Sequence, residues 1–75
     1  MRTMIDDLNE YKWVCLENAV LMHNCDRNEM ADSYLSDAKE CDELLTLFNE
    51  MKLSAGDWAR IKELVTQFRK DLELI

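Results

Sequence analysis

The stretch LSAGDWARIKELVTQFRKDLELI, residues 53–75, decides how the rest of the chain is read. Ser54 can cap a helix while Asp57, three residues on, holds the reciprocal position of a capping box with a shorter arm than the usual Glu. Leu53 and Trp58 fall at the two positions of a hydrophobic staple, so two independent signals start a helix at Ser54. From there Trp58, Ile61, Val65, Phe68, Leu72 and Ile75 recur at steps of three and four residues, the seam of a helix laid against other helices.

Working backwards, Met30, Tyr34, Ala38, Cys41, Leu44, Leu45, Phe48 and Met51 repeat at helical spacing, which predicts a second helix over about 27–52. Asp26 with Glu29 is a cap-like pair at its start. The tight connection at Leu53 and Ser54 predicts that the second and third helices form an antiparallel hairpin. A first helix is expected over about 4–23, with Thr3 as cap and Asp6 at the third helical position. Between the first two helices, residues 23–28 (His-Asn-Cys-Asp-Arg-Asn) are polar turn formers without Gly or Pro, and they favour a break over a kinked continuation.

Composition agrees with an all-α protein. The chain has 75 residues, 48% of them hydrophobic and 33% charged, with one Gly and no Pro. That is too apolar for a disordered tail and poor in helix breakers. A single domain of this size buries only roughly 60% of the surface its unfolded chain exposes, so small chains usually add disulfides, a metal or a partner subunit. Three cysteines, Cys15, Cys25 and Cys41, leave one unpaired in any internal scheme. Asp6, Asp7 and Glu10 interrupt what would be a signal-peptide opening, so a cytoplasmic location is expected. The most apolar run, Trp13 to Met22, has about half the length of a bilayer span and contains Glu17 and Asn18, so no membrane partner is expected.

That run nevertheless carries the main anomaly. At 100° per residue, Trp13, Val14, Cys15, Leu16, Ala19, Val20, Leu21 and Met22 point around the whole circumference, and a helix apolar all round has to be covered all round. Two companions from the same chain shield two sides, which predicts that the remaining surface meets a second copy or another protein in a homodimeric helical bundle. Single exposed apolar residues are ordinary on any protein; a cluster of them on so small a chain is not.

The chemistry-bearing residues are few. His23 and Cys25 form a His-x-Cys pair with Cys41 sixteen residues later, but zinc sites use recognisable spaced pairs of ligands, so neither a metal nor any other cofactor is expected. Cys15 and Cys41 sit at apolar-face positions, where a free Cys acts as a small hydrophobe. On a helix His23 and Cys25 diverge by about 200°, a poor geometry for a nucleophile and its base. There is no Glu-x-x-His pair for a di-iron site and no Gly-rich phosphate loop. The chain is therefore not expected to be an enzyme.

Charge is uneven. The formal net charge is −7; residues 1–54 hold twelve acids against five bases, while residues 55–75 hold four of each. Seven acids fall between Asp26 and Glu43. Such a run serves as the solvated face of a helix, or as a surface that docks on a basic partner or imitates DNA phosphates. Helix-turn-helix binding to DNA is disfavoured, because Arg60, Lys62, Arg69 and Lys70 are matched by Asp57, Glu63, Asp71 and Glu73 and leave no positive field.

The function these readings imply is a non-enzymatic adaptor or inhibitor that binds another protein. The residues expected to carry it are Trp13, Leu16, Val20, Leu21 and Met22, with Asp37, Glu40 and Glu43 beside them. The alternative is a nucleic-acid-directed regulator, either an acidic DNA mimic or a weak DNA binder. In composition alone, with no shared motif, the chain is similar to the small acidic helical accessory proteins of phages and mobile elements, and that likeness implies binding to host proteins.

Overall fold

A computed structural model describes residues 2–73 and contains three helices, α1 (Met4–Asn24), α2 (Asn28–Asn49) and α3 (Ala55–Glu73), with no strand among the described residues. The fold is all-α. Ile75 and the expected end of the third helix at residue 74 lie outside the described residues.

Two of the three helix starts follow one local rule. At α1 the Asp6 amide donates to Thr3 Oγ1 (3.2 Å) and the Thr3 amide donates to Asp6 Oδ2 (3.0 Å). At α3 the Asp57 amide donates to Ser54 Oγ (3.1 Å) and the Ser54 amide to Asp57 Oδ2 (3.0 Å). Each box satisfies two backbone groups that the first turn would otherwise leave open. The start of α2 differs from the sequence expectation. Its N-cap is Arg27, with no side-chain cap bond, and Asp26 ends α1 instead.

Both inner helix ends close in the same way. The Asp26 amide donates to the His23 carbonyl (3.1 Å) and the Arg27 amide to the Met22 carbonyl (2.8 Å). At the end of α2 the Met51 amide donates to Phe48 (3.0 Å) and the Lys52 amide to Leu47 (2.9 Å). These are two Schellman motifs, which require a left-handed residue after the cap. Asp26 (φ 60°) and Met51 (φ 58°) fill those positions in place of the usual glycine. Met51 consequently ends α2 at Asn49, three residues before the expected boundary at 52, because a left-handed residue turns the chain out of the helix. The expected break between α1 and α2 is present, and His23 Nδ1 lies 3.1 Å from Asn28 Oδ1 across it.

The helices enclose one core. Leu8, Tyr11 and Cys15 of α1 meet Ala38, Cys41 and Leu44 of α2 and Ile61, Leu64, Val65 and Phe68 of α3. Leu8, Cys15, Cys41, Ile61 and Val65 are the largest side chains with no appreciable exposure. Burial of each aliphatic one contributes about 1.5–3 kcal/mol of transfer free energy. The Tyr11 and Phe68 rings stack at a tilt, 5.2 Å between centroids.

α1 and α2 form the most closely packed pair. Met4 and Ile5 share a depression with Phe48, Lys12 pairs with Asp42, and Ala19 and Val20 line a depression with Ala31, so the two helices run in opposite directions. Small residues, Ala19, Ala31 and Ala38, are buried along this pair. The stripe read along α3 is narrower and shifted. Leu64 joins the buried set, whereas Leu72 is exposed and Trp58 is only partly covered.

One ion cluster ties α3 to the start of α1. The Asp7 carboxylate is buried, accepts from Arg69 Nε at 3.0 Å and from Arg2 Nε at 2.6 Å, and is the only buried charged side chain among the described residues. Hydrogen bonds from Arg69 and then Arg2 hold its pKa below the ordinary aspartate value. Arg2 also pairs with Glu10. A carboxylate so enclosed is tolerable because both oxygens are met by guanidinium donors.

Candidate protein-interaction surface

The residues singled out on α1 divide by face. Cys15 and Ala19 point into the protein, and the side chains around them emerge. Trp13 keeps 55% of its surface exposed, Val20 61% and Leu21 56%. Leu16 and Met22 are half-buried, Leu16 packing against the core. Trp13, Leu16 and Val20 stand at i, i+3 and i+7 and share one side of the helix. Leu21 flanks that side, and Met22, nine residues from Trp13, falls on the opposite one.

The structure adds a residue from α2. Leu35, 48% exposed, lines one depression with Lys12, Leu16 and Ala38 and another with Ala19, Val20 and Ala31. The two depressions have volumes of about 350 and 250 Å³ and follow the groove between α1 and α2. Leu35 escaped the sequence reading because it lies one residue off the α2 stripe. Its own row, Ala31, Leu35 and Ala38 at steps of four and three, is the signal that marks it. Trp13 is positioned by Lys12, whose ammonium lies 4.9 Å from the ring centroid and 3.3 Å from Asp42 Oδ1. That arrangement gives the exposed indole a cation–π contact and fixes the lysine between two partners.

The acids proposed beside this surface are not equivalent. Glu43 is exposed. Asp37 is half-buried, and its charge adds to the burial that raises the pKa values of Tyr11 and Cys41. Glu40 is taken up internally: Arg60 Nε and Nη2 donate to its two oxygens at 2.7 and 2.8 Å, and these bonds lower its pKa. A bidentate pair of this kind occupies the carboxylate's best acceptor positions, which leaves Glu40 less to offer a partner than a helix-face reading implies. Arg60 also reaches Glu63 at 3.1 Å.

The residues weighed for metal binding or nucleophilic chemistry do not converge. Cys15 and Cys41 are buried and Cys25 is exposed. Burial pushes the Cys41 thiol up to about 12 and raises that of Cys15. A thiol so displaced toward its protonated form is a poor nucleophile at neutral pH. Among the described residues no group of three His, Cys, Asp or Glu side chains is placed to hold a metal ion. No helix among them is long and apolar enough to cross a membrane.

Comparison with protein-family models, with curated proteins and with solved structures gives no match.

Proposed function

We propose that the chain is a non-enzymatic protein–protein interaction module, an adaptor or inhibitor that acts by binding another protein and assembles as a homodimer. The observation that carries this reading is the exposed apolar side of the α1–α2 pair, formed by Trp13, Val20, Leu21 and Leu35. Together these side chains leave about 400 Å² of apolar surface in solvent, at the scale where a patch on a small protein marks a contact surface. Two such patches facing each other supply about half of a standard interface of roughly 1,600 Å², before the surrounding polar rim is counted. In this assembly α2 and α3 act as an antiparallel hairpin, supported by the Glu40–Arg60 pair and the Phe48–Trp58 contact, while α1 keeps Leu8, Tyr11 and Cys15 in the core and turns its Trp13 and Val20 side toward the second copy.

A direct DNA-binding role has less support. Arg2, Lys12, Arg60 and Arg69 are each paired with carboxylates of the same chain, so the field a phosphate backbone requires is largely neutralised.

The test is Trp13→Ser combined with Leu21→Ser. Both side chains are already exposed, so helicity should be retained while sedimentation equilibrium shows a shift toward monomer. A photo-crosslinking amino acid at position 13 should trap the partner in the wild type and not after Leu21→Ser and Val20→Ser. A folded double variant with unchanged self-association and unchanged crosslinking would exclude the proposal.

A further inference from the structure

A second apolar surface lies at the end of the molecule where α2 hands over to α3, away from the α1 face. Met51 keeps 94% of its surface exposed, the largest exposure of any large apolar residue described, and does so at φ 58°. A left-handed backbone costs a non-glycine residue about 1–2 kcal/mol, and glycine performs the Schellman turn without that cost. Nothing in the protein's interior explains Met here, because its side chain buries almost nothing. A strained residue whose side chain stands in solvent points to a use for that side chain.

Its neighbours give that use a shape. Phe48 and Trp58 meet edge to face at 6.2 Å and are both more than one-third exposed. They line two adjoining depressions of about 470 and 500 Å³, the first completed by Met51 and Leu53 and the second by Met4 and Ile5. Adaptable methionine beside rigid aromatic rings is the composition of a groove that accepts large apolar side chains from a helix.

The charge around the groove selects among occupants. Asp6 lines it and Asp57 precedes Trp58 at its rim, each with Oδ2 engaged by a capping box and Oδ1 left for a further donor, and Glu50 caps the C-terminal end of α2, where the helix dipole is negative. The last turn of α2 carries no basic residue, and the one lysine at this end, Lys52, lies 3.6 Å from Glu50. An acid at a helix C-terminus is unfavourable by itself and becomes favourable when a cation arrives from outside. A second copy of this chain, acidic at the same end, would meet like charge here.

We infer that the Phe48–Met51–Trp58 end is a docking site for a basic amphipathic helix of another protein, which inserts large apolar side chains between the rings and sets Lys or Arg against Glu50, Asp57 and Asp6. The site is independent of the α1 face and of whether the chain dimerises.

The experiment uses the full chain, a 14-residue Leu/Lys peptide with leucines at helical spacing, and its Leu/Glu counterpart, followed by calorimetric titration. The Leu/Lys peptide is expected to bind one per chain, and the Leu/Glu peptide not to bind. Met51→Gly should weaken binding about tenfold with the urea midpoint unchanged or higher, whereas Trp13→Ser should leave binding intact. Three results would each overturn the inference: no binding of the Leu/Lys peptide, equal affinity of the Met51→Gly variant, or equal binding of the Leu/Glu peptide. Loss of self-association in Met51→Gly would also overturn it, by assigning the groove to a second copy. Failure of the dimer alone, with peptide binding intact, would count against the reading of the α1 face and leave this site standing.

Discussion

Replacing Met51 by glycine is expected to stabilise the protein, although it removes a hydrophobic side chain and adds a flexible residue to a mostly helical chain. At φ 58° the Met51 backbone carries a penalty of about 1–2 kcal/mol that glycine does not. Glycine gives back about 0.4–1 kcal/mol, because its unfolded chain has more conformations to lose. The side chain contributes almost nothing to offset this, since 94% of its surface is already in solvent. The balance is a gain of about 0.5–1 kcal/mol, or a Tm rise of about 3–6 °C for a domain of this size. Asp26 at φ 60° is the internal control. Aspartate enters the left-handed region more readily than methionine, so Asp26→Gly should gain less. Urea and thermal unfolding followed by circular dichroism, at one protein concentration so that self-association is constant, measure both. A lower urea midpoint for Met51→Gly, or a larger gain for Asp26→Gly, would refute the account of these two helix ends.

Acid and alkali should each destabilise the protein, for opposite reasons. The pKa values of Asp7 and Glu40 are held below 3.8 and 4.5 by arginine hydrogen bonds. Their contribution is therefore complete above those ordinary values and is lost as pH falls through the lower folded-state ones. Asp7→Asn should flatten the fall in urea midpoint between pH 5 and pH 2. The Cys41 thiol, raised by burial from 9.0 to about 12, contributes stability that is complete below pH 9 and lost as pH rises toward 12. Cys41→Ala should reduce that alkaline loss. At neutral pH a thiol-specific disulfide reagent should modify exposed Cys25 in seconds to minutes, and Cys15 and Cys41 only at the rate of global opening. Rapid modification of all three would contradict the burial of the other two.

The starts of α1 and α3 were legible because a capping box is a contract between residues three apart: Thr3 with Asp6, and Ser54 with Asp57. Local hydrogen bonds need no tertiary information. The helix ends were harder to read for an equally physical reason. Asp26 resembled an N-cap and Met51 a further member of the α2 stripe, since the usual left-handed glycine is missing from both turns. On α1 the surplus of apolar residues was visible, but not which of them the chain would cover. Trp13 and Val20 remain outside, while Cys15 and Ala19, in the same run, are inside. Glu40 read as a free surface acid because its partner, Arg60, is twenty residues away.

Sequence alone determined that this protein is helical, how many helices it has, where two of them begin and that the run from Trp13 to Met22 carries apolar residues around the whole helix. All of these depend on residues within about one or two helical turns of each other, where spacing and capping act directly. Only the tertiary structure decided which sides of those helices stay open, which carboxylates are claimed by arginines of another helix, and that Leu35 joins Trp13 and Val20 while Met51 joins Phe48 and Trp58. Those outcomes depend on how the helices rotate and cross, which is set by the packing of all three together and is written in no single segment.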